Sequence, residues 1–77
     1  MITAGIDIGS ISTKATVLSD GKLLGTRLIF TGYNAEAAGR AVFEELLKEL
    51  GLERSAIRRV ISTGYGRNSV KFVDKAV

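Results

Sequence analysis

Eight residues near the start of the chain, Asp7-Ile8-Gly9-Ser10-Ile11-Ser12-Thr13-Lys14, combine the types that phosphate chemistry requires. Phosphate is held by oriented N–H donors, hydroxyls and a positive charge. Gly9 lets the backbone approach a ligand without a Cβ in the way. Ser10, Ser12 and Thr13 offer hydroxyls, and Lys14 offers a cation. Asp7, the only carboxylate in an apolar run from Ile2 to Ile8, is placed to hold a divalent cation through water. A buried carboxylate costs several kcal/mol unless it is paired or binds a metal. Asp7 has a second option, a pair with Lys14 across the turn. The P-loop pattern and the Gly-x-Gly-x-x-Gly fingerprint are both absent. A plain polar turn with a solvated lysine is the alternative to a phosphate site.

A second candidate constellation is Thr63-Gly64-Tyr65-Gly66-Arg67-Asn68. Gly64 and Gly66 open a turn at the end of an apolar run, and Arg67 and Asn68 are its polar members. Strand ends of one polarity gather ligand loops in open α/β sheets. Tyr65 reads as packing on the core.

The elements that must position these residues follow from the pattern. Residues 2–8 are rich in β-branched side chains and suit a buried strand. Residues 14–19 read as a second strand, and Asp20-Gly21 is a two-residue hairpin signal. Residues 22–31 form a third strand, with Leu24, Thr26, Leu28 and Phe30 on one face. Asn34 is a helix N-cap, and Glu36 in the first turn suits the helix dipole. Ala35, Ala38, Val42, Leu46 and Leu50 make a helical stripe. Gly39 permits close packing on the sheet. Gly51 closes the helix in a Schellman ending, with Leu52 packing back. Residues 53–58 read as a turn and 59–63 as a fourth strand, parallel to the first after a right-handed crossover. The expected architecture is α/β: a mixed sheet of about four strands, order 3-2-1-4, with one crossover helix. Asp74 to Val77 reads as the start of a helix.

Composition bounds the rest. Seventy-seven residues make one small domain. A chain of that size buries roughly 60% of its unfolded surface, so its stability is marginal. The formal charge is +3, from 11 basic and 8 acidic residues. Arg54, Arg58, Arg59, Arg67, Lys71 and Lys75 cluster late, which reads as a solvated face with one or two anion contacts. The few scattered aromatics argue against a base-stacking platform and so against nucleic acid. With no cysteine and no histidine, there is no disulfide, thiolate site or neutral-pH imidazole base. No apolar run approaches the roughly 18 residues of a membrane span, and no signal peptide is expected. A cytoplasmic location fits this composition.

The first constellation resembles the phosphate-binding hairpin of the superfamily of acetate and sugar kinases, Hsp70 and actin, with its Asp-x-Gly-x-x-Ser/Thr-x-Lys pattern. The stretch Thr63 to Val70, with Asp74-Lys75-Ala76-Val77, resembles the activator ATPases of 2-hydroxyacyl-CoA dehydratases and the ATPase subunits of benzoyl-CoA reductases. The resemblance runs through all 77 residues and covers the first part of such a protein. It implies a ribonuclease H-like half-domain, here a single N-terminal subdomain of an actin/Hsp70-type ATPase. It implies ATP or ADP and Mg²⁺ as ligands, with Asp7 near the metal and Gly9, Ser10, Ser12, Thr13 and Lys14 on phosphate. Gly64, Gly66, Arg67 and Asn68 would border the cleft. It implies a homodimer, a dehydratase or reductase partner, and a [4Fe–4S] cluster whose cysteines lie outside these residues. Ile11 departs from the small residue usual in that turn. On this reading the chain alone binds nucleotide weakly and is inactive. A sugar or acyl kinase of the same superfamily, or a non-catalytic folding module, are the alternatives. One sheet face and the outer edge of the fourth strand are expected to lack cover, which favours self-association.

Overall fold

The computed structural model describes residues 1–77. The chain runs β1 (Ile2–Ile8), β2 (Ser12–Ser19), β3 (Lys22–Phe30), α1 (Ala35–Leu50), a single 3₁₀ turn at Arg54–Ala56, β4 (Ile57–Thr63) and β5 (Lys75–Ala76). One five-stranded sheet has the order β3-β2-β1-β4-β5. β1, β2 and β3 form an antiparallel meander, and β4 lies parallel to β1. The turn between β2 and β3 places Asp20 at φ 50° and Gly21 at φ 84°, the left-handed pair a two-residue hairpin requires.

The expected order 3-2-1-4 is found, and a fifth strand extends it: Lys75 and Ala76 pair in parallel with Ile61 and Ser62. The tail therefore does not begin a helix. The edge of β4 has unpaired backbone groups to satisfy, and the tail satisfies them. Asp74 Oδ2 accepts from the Val60 amide at 2.6 Å, and the Val77 amide donates to Ser62 O at 2.8 Å. The outer edge of β4 is thus partly covered. β2 and β4 also start two residues earlier than expected, at Ser12 and Ile57.

Helix α1 covers one face only. Asn34 caps it by accepting from the Ala37 amide at 3.0 Å, and Gly51 ends it at φ 70° with the Leu52 amide donating to Leu47 O at 2.9 Å. The core under the helix joins Ile6, Ile8, Val17, Val42, Leu46 and Val60, each at most 1% exposed. Gly25 on β3 is where the helix comes closest at that edge, since a Cβ there would lie 3.1 Å from Leu50 Cδ2. Beside it Arg27 donates to Glu45 and Glu49 at 2.7 and 2.9 Å. The Glu45 hydrogen bond and charge, then those of Glu49, hold its pKa above the usual value.

The tail is pinned to the helix by a stack. Phe72 and Phe43 lie 5.3 Å apart, with Arg40 over Phe72 and Arg54 over Phe43. Arg54 also donates to Ile57 O and Phe72 O. Within the basic cluster, Arg54 therefore serves the fold. No helix is long and apolar enough to cross a membrane.

The opposite face of the sheet is open. On it lie Gly5 and Asp7 of β1, Ser12, Lys14 and Thr16 of β2, Thr26, Leu28 and Phe30 of β3, and Ile61 and Thr63 of β4. The face formed by Leu28 and Phe30 is this open one: they are 61% and 79% exposed.

Candidate functional site

The site sits where β1 ends. In register, Asp7 lies opposite Lys14 on one side and opposite Thr63 on the other. Gly5, two residues back, contributes no side chain, and a Cβ there would meet nothing within 4 Å. The result is a shallow hollow of about 300 Å³ over Gly5, rimmed by Asp7, Lys14, Thr16, Ile61 and Thr63. Sequence alternation puts these groups on one face; the glycine makes the room.

Asp7 is exposed, so it does not bear the burial cost expected for it. None of the chain's ion pairs includes Asp7 or Lys14, so the alternative pair across the turn does not form. The two groups face each other with both charges free. No cluster of three or more metal-ligating side chains exists. A cation here would have one carboxylate and complete its shell with water and ligand oxygens, as Mg²⁺ commonly does. The donor set fits Mg²⁺ in that form.

The turn between β1 and β2 is braced from three directions. The Gly9 amide donates to Ser12 O at 2.9 Å, and the Thr31 amide donates to Ile11 O at 2.7 Å. The Thr31 hydroxyl donates to Gly9 O at 2.8 Å. Its proton is thereby committed, so the 2.8 Å contact with Thr13 has Thr13 as donor. The amides of Ser10 and Ile11 donate to no acceptor in the chain. Two N–H groups without an acceptor at a braced turn are donors that an anion could use. Gly9 is required by the turn itself: a Cβ would lie 2.8 Å from Ser12 O.

The five turn residues therefore divide. Ser10 and Lys14 are exposed and Ser12 half-buried, while Thr13 is fully buried with its hydroxyl engaged by Thr31. Ile11 stands 70% exposed beside the turn. Thr31, buried at 8% exposure, was not singled out from the sequence. Its only signal is a hydroxyl at the end of β3, and its partners lie 18 and 22 residues away.

The second loop folds back onto the end of β1. Gly66 donates to Ile8 O at 2.9 Å and packs on Ile8 and Ala35. The Ala35 end is the N-terminus of α1, so the positive end of the helix dipole lies at this edge too. Gly64, at φ 93°, lies against Asp7: a Cβ there would be 2.6 Å from Asp7 Oδ1. Arg67 donates to Gly64 O from its amide at 3.2 Å and from Nη1 at 3.0 Å. Ser62 donates to Arg67 O at 2.7 Å. Asn68 is exposed and makes no hydrogen bond through its side chain. Tyr65 is 82% exposed, contrary to the core role expected of it. The tight turn between two glycines points it outward, and Val70, 4% exposed, fills the core instead.

A family model for the BadF/BadG/BcrA/BcrD ATPase family matches residues 4–77. The chain belongs to that family. It is 36% identical over 78 residues to a 2-hydroxyisocaproyl-CoA dehydratase activator from Clostridioides difficile. That alignment covers 100% of this chain and 29% of the relative. Among solved structures, the activator of 2-hydroxyisocaproyl-CoA dehydratase from Clostridium difficile with bound ADPNP superposes with a TM-score of 0.88 at 35% identity. It is matched over 100% of this chain and 29% of its own length. Component A of the (R)-2-hydroxyglutaryl-CoA dehydratase from Acidaminococcus fermentans gives a TM-score of 0.91 at 29% identity, with coverage of 100% and 30%. This family member thus spans about 30% of the length of these relatives. Its structural neighbours are actin-like ATPase domains.

Proposed function

We propose that the chain is the phosphate-binding N-terminal part of an ATPase that activates a 2-hydroxyacyl-CoA dehydratase or a related acyl-CoA reductase. One observation carries the reading: the free Asp7 and Lys14 face each other beside a braced turn whose Ser10 and Ile11 amides have no partner in the chain. The bound ADPNP in a 35% identical structure supports it. Lys14, the hydroxyls of Ser10 and Ser12, and the turn amides would hold the phosphates of ATP or ADP. Asp7 would hold Mg²⁺ through water. Thr13, with its hydroxyl committed to Thr31, braces the turn rather than touching the ligand.

Mg²⁺ supplies charge neutralisation on phosphate oxygens. The rest is positioning by this chain: Lys14 adds a fixed cation, and the amides add fixed dipoles. In the whole protein, hydrolysis would drive electron transfer to the partner enzyme through a [4Fe–4S] cluster. This chain has no cysteine and supplies that cluster no thiolate ligand.

These residues form one wall of a site, and phosphoryl transfer needs groups placed around the whole phosphate. The 77-residue chain is therefore expected to bind nucleotide weakly and to release no phosphate above a Lys14→Ala control. Adding ADP with Mg²⁺ to ¹⁵N-labelled protein should shift the amide signals of Gly9 to Lys14, and Lys14→Ala should remove those shifts. Shifts elsewhere, or none, would overturn the proposal. The exposed Leu28 and Phe30 further support self-association through the open face.

A further inference from the structure

Asp7 has no hydrogen-bond or ion-pair partner of its own. A carboxylate at a strand end with no partner samples several rotamers. What bounds it here is a neighbouring main chain. Gly64 lies so close that a Cβ would stand 2.6 Å from Asp7 Oδ1 and 2.7 Å from Ile8 O. Real Cβ atoms do not approach oxygen to that distance, so any other residue at 64 would move the carboxylate or the strand end.

Gly64 is itself held. Its carbonyl accepts both the amide and the Nη1 of Arg67, at 3.2 and 3.0 Å. The Arg67 carbonyl is fixed in turn by the Ser62 hydroxyl, whose residue is fully buried in β4. The loop is tied to β1 a second time where Gly66 donates to Ile8 O. A continuous set of contacts thus runs from the core of β4 through Arg67 and Gly64 to the face of the Asp7 carboxylate.

We propose that Gly64, locked by Arg67, is a positioning residue that sets the Asp7 carboxylate for an Mg²⁺-bound phosphate ligand. The inference rests on the nucleotide reading above and assigns Arg67 a different task from a direct ligand contact. Groups that orient a metal's ligand matter nearly as much as the ligand. A larger residue at 64 would displace the carboxylate from the place where it meets the metal, and would leave Lys14 and the turn amides as they are.

The test is an ADP titration of the ¹⁵N-labelled chain, with and without Mg²⁺, read at the Gly9 to Lys14 amides. In the parent chain Mg²⁺ should tighten ADP binding. Gly64→Ala should weaken that Mg²⁺ effect by about tenfold to a hundredfold, the range for second-layer changes at metal sites. Binding of ADP without Mg²⁺ should stay as it was. Because Gly64→Ala also strains a positive φ, Arg67→Met is measured beside it. That variant keeps the glycine and should lose part of the Mg²⁺ effect while its Ile8 and Val60 amides remain in place. If Arg67→Met keeps the full Mg²⁺ effect, or loses Mg²⁺-free ADP binding equally, the positioning role is overturned. If the parent chain binds ADP with no Mg²⁺ effect, Asp7 has no metal role and the inference falls while the phosphate turn stands. If the parent chain shows no ADP shifts at all, both fall.

Discussion

The two faces of the sheet are made from the same strands and do opposite things. The face under α1 is closed by Ile6, Ile8, Val17, Leu46 and Val60, all essentially without exposure. The other face carries Asp7, Lys14, Thr16 and Thr63 around a hollow, with Leu28 and Phe30 exposed beside it. Residues one step apart along β1 therefore have unrelated jobs. Ile6 and Ile8 secure the fold, and Asp7 between them is free for chemistry. Stability and ligand binding should separate along this alternation, and single substitutions can show whether they do.

The largest effect belongs to the covered face. Leu46→Ala should cost about 2–5 kcal/mol, a large part of the total stability of a small domain. Thermal unfolding by circular dichroism should show no cooperative transition above room temperature. Next comes the brace beneath the turn. Thr31→Val leaves the buried Thr13 hydroxyl and Gly9 carbonyl short of a partner, at a cost of about 1–3 kcal/mol. The denaturation midpoint should fall, and the paired change Thr13→Val with Thr31→Val should recover part of the loss. If the double variant is worse than the single one, the hydroxyl chain is not what holds the turn. Lys14→Ala and Asp7→Asn lie on the open face and should each change stability by less than about 0.5 kcal/mol, yet both should weaken Mg²⁺–ADP binding. A large stability loss from either would mean the faces are not separate. Smallest in stability is Leu28→Lys, which should leave the melting curve in place and lower the apparent mass in light scattering at high concentration.

Much of this was legible in the sequence because it is local. Asp20-Gly21 fixes the hairpin, Asn34 and Gly51 bound the helix, and the β-branched residues of 2–8 mark a strand, although the exposure of Asp7 within it was not legible. The right-handed crossover rule then places β4 beside β1. What the sequence hid is non-local or too short. β5 is two residues long and has no periodicity to detect. Thr31 matters only through partners on other strands. Tyr65 misled because an aromatic residue is usually core-seeking; two flanking glycines turned the backbone and gave its place to Val70. The closeness of Gly64 to Asp7 depends on the parallel register of β4, which no local pattern states.

That parallel register has a consequence in time. β1 meets β2 within a few residues, but its other neighbour begins at Ile57, paired with Ile2. Closing so long a loop carries an entropic cost that the local β1–β2 hairpin does not, so the hairpin is expected to form ahead of the β1–β4 pairing. The proposed phosphate turn is therefore expected to form early. Its Asp7 acquires the wall formed by Gly64 only when the last third of the chain arrives. In refolding experiments, signals from Gly9 to Lys14 should reach native positions before those of Ser62 to Arg67. A nascent chain would carry the hydroxyls and the lysine before it carried a fixed carboxylate.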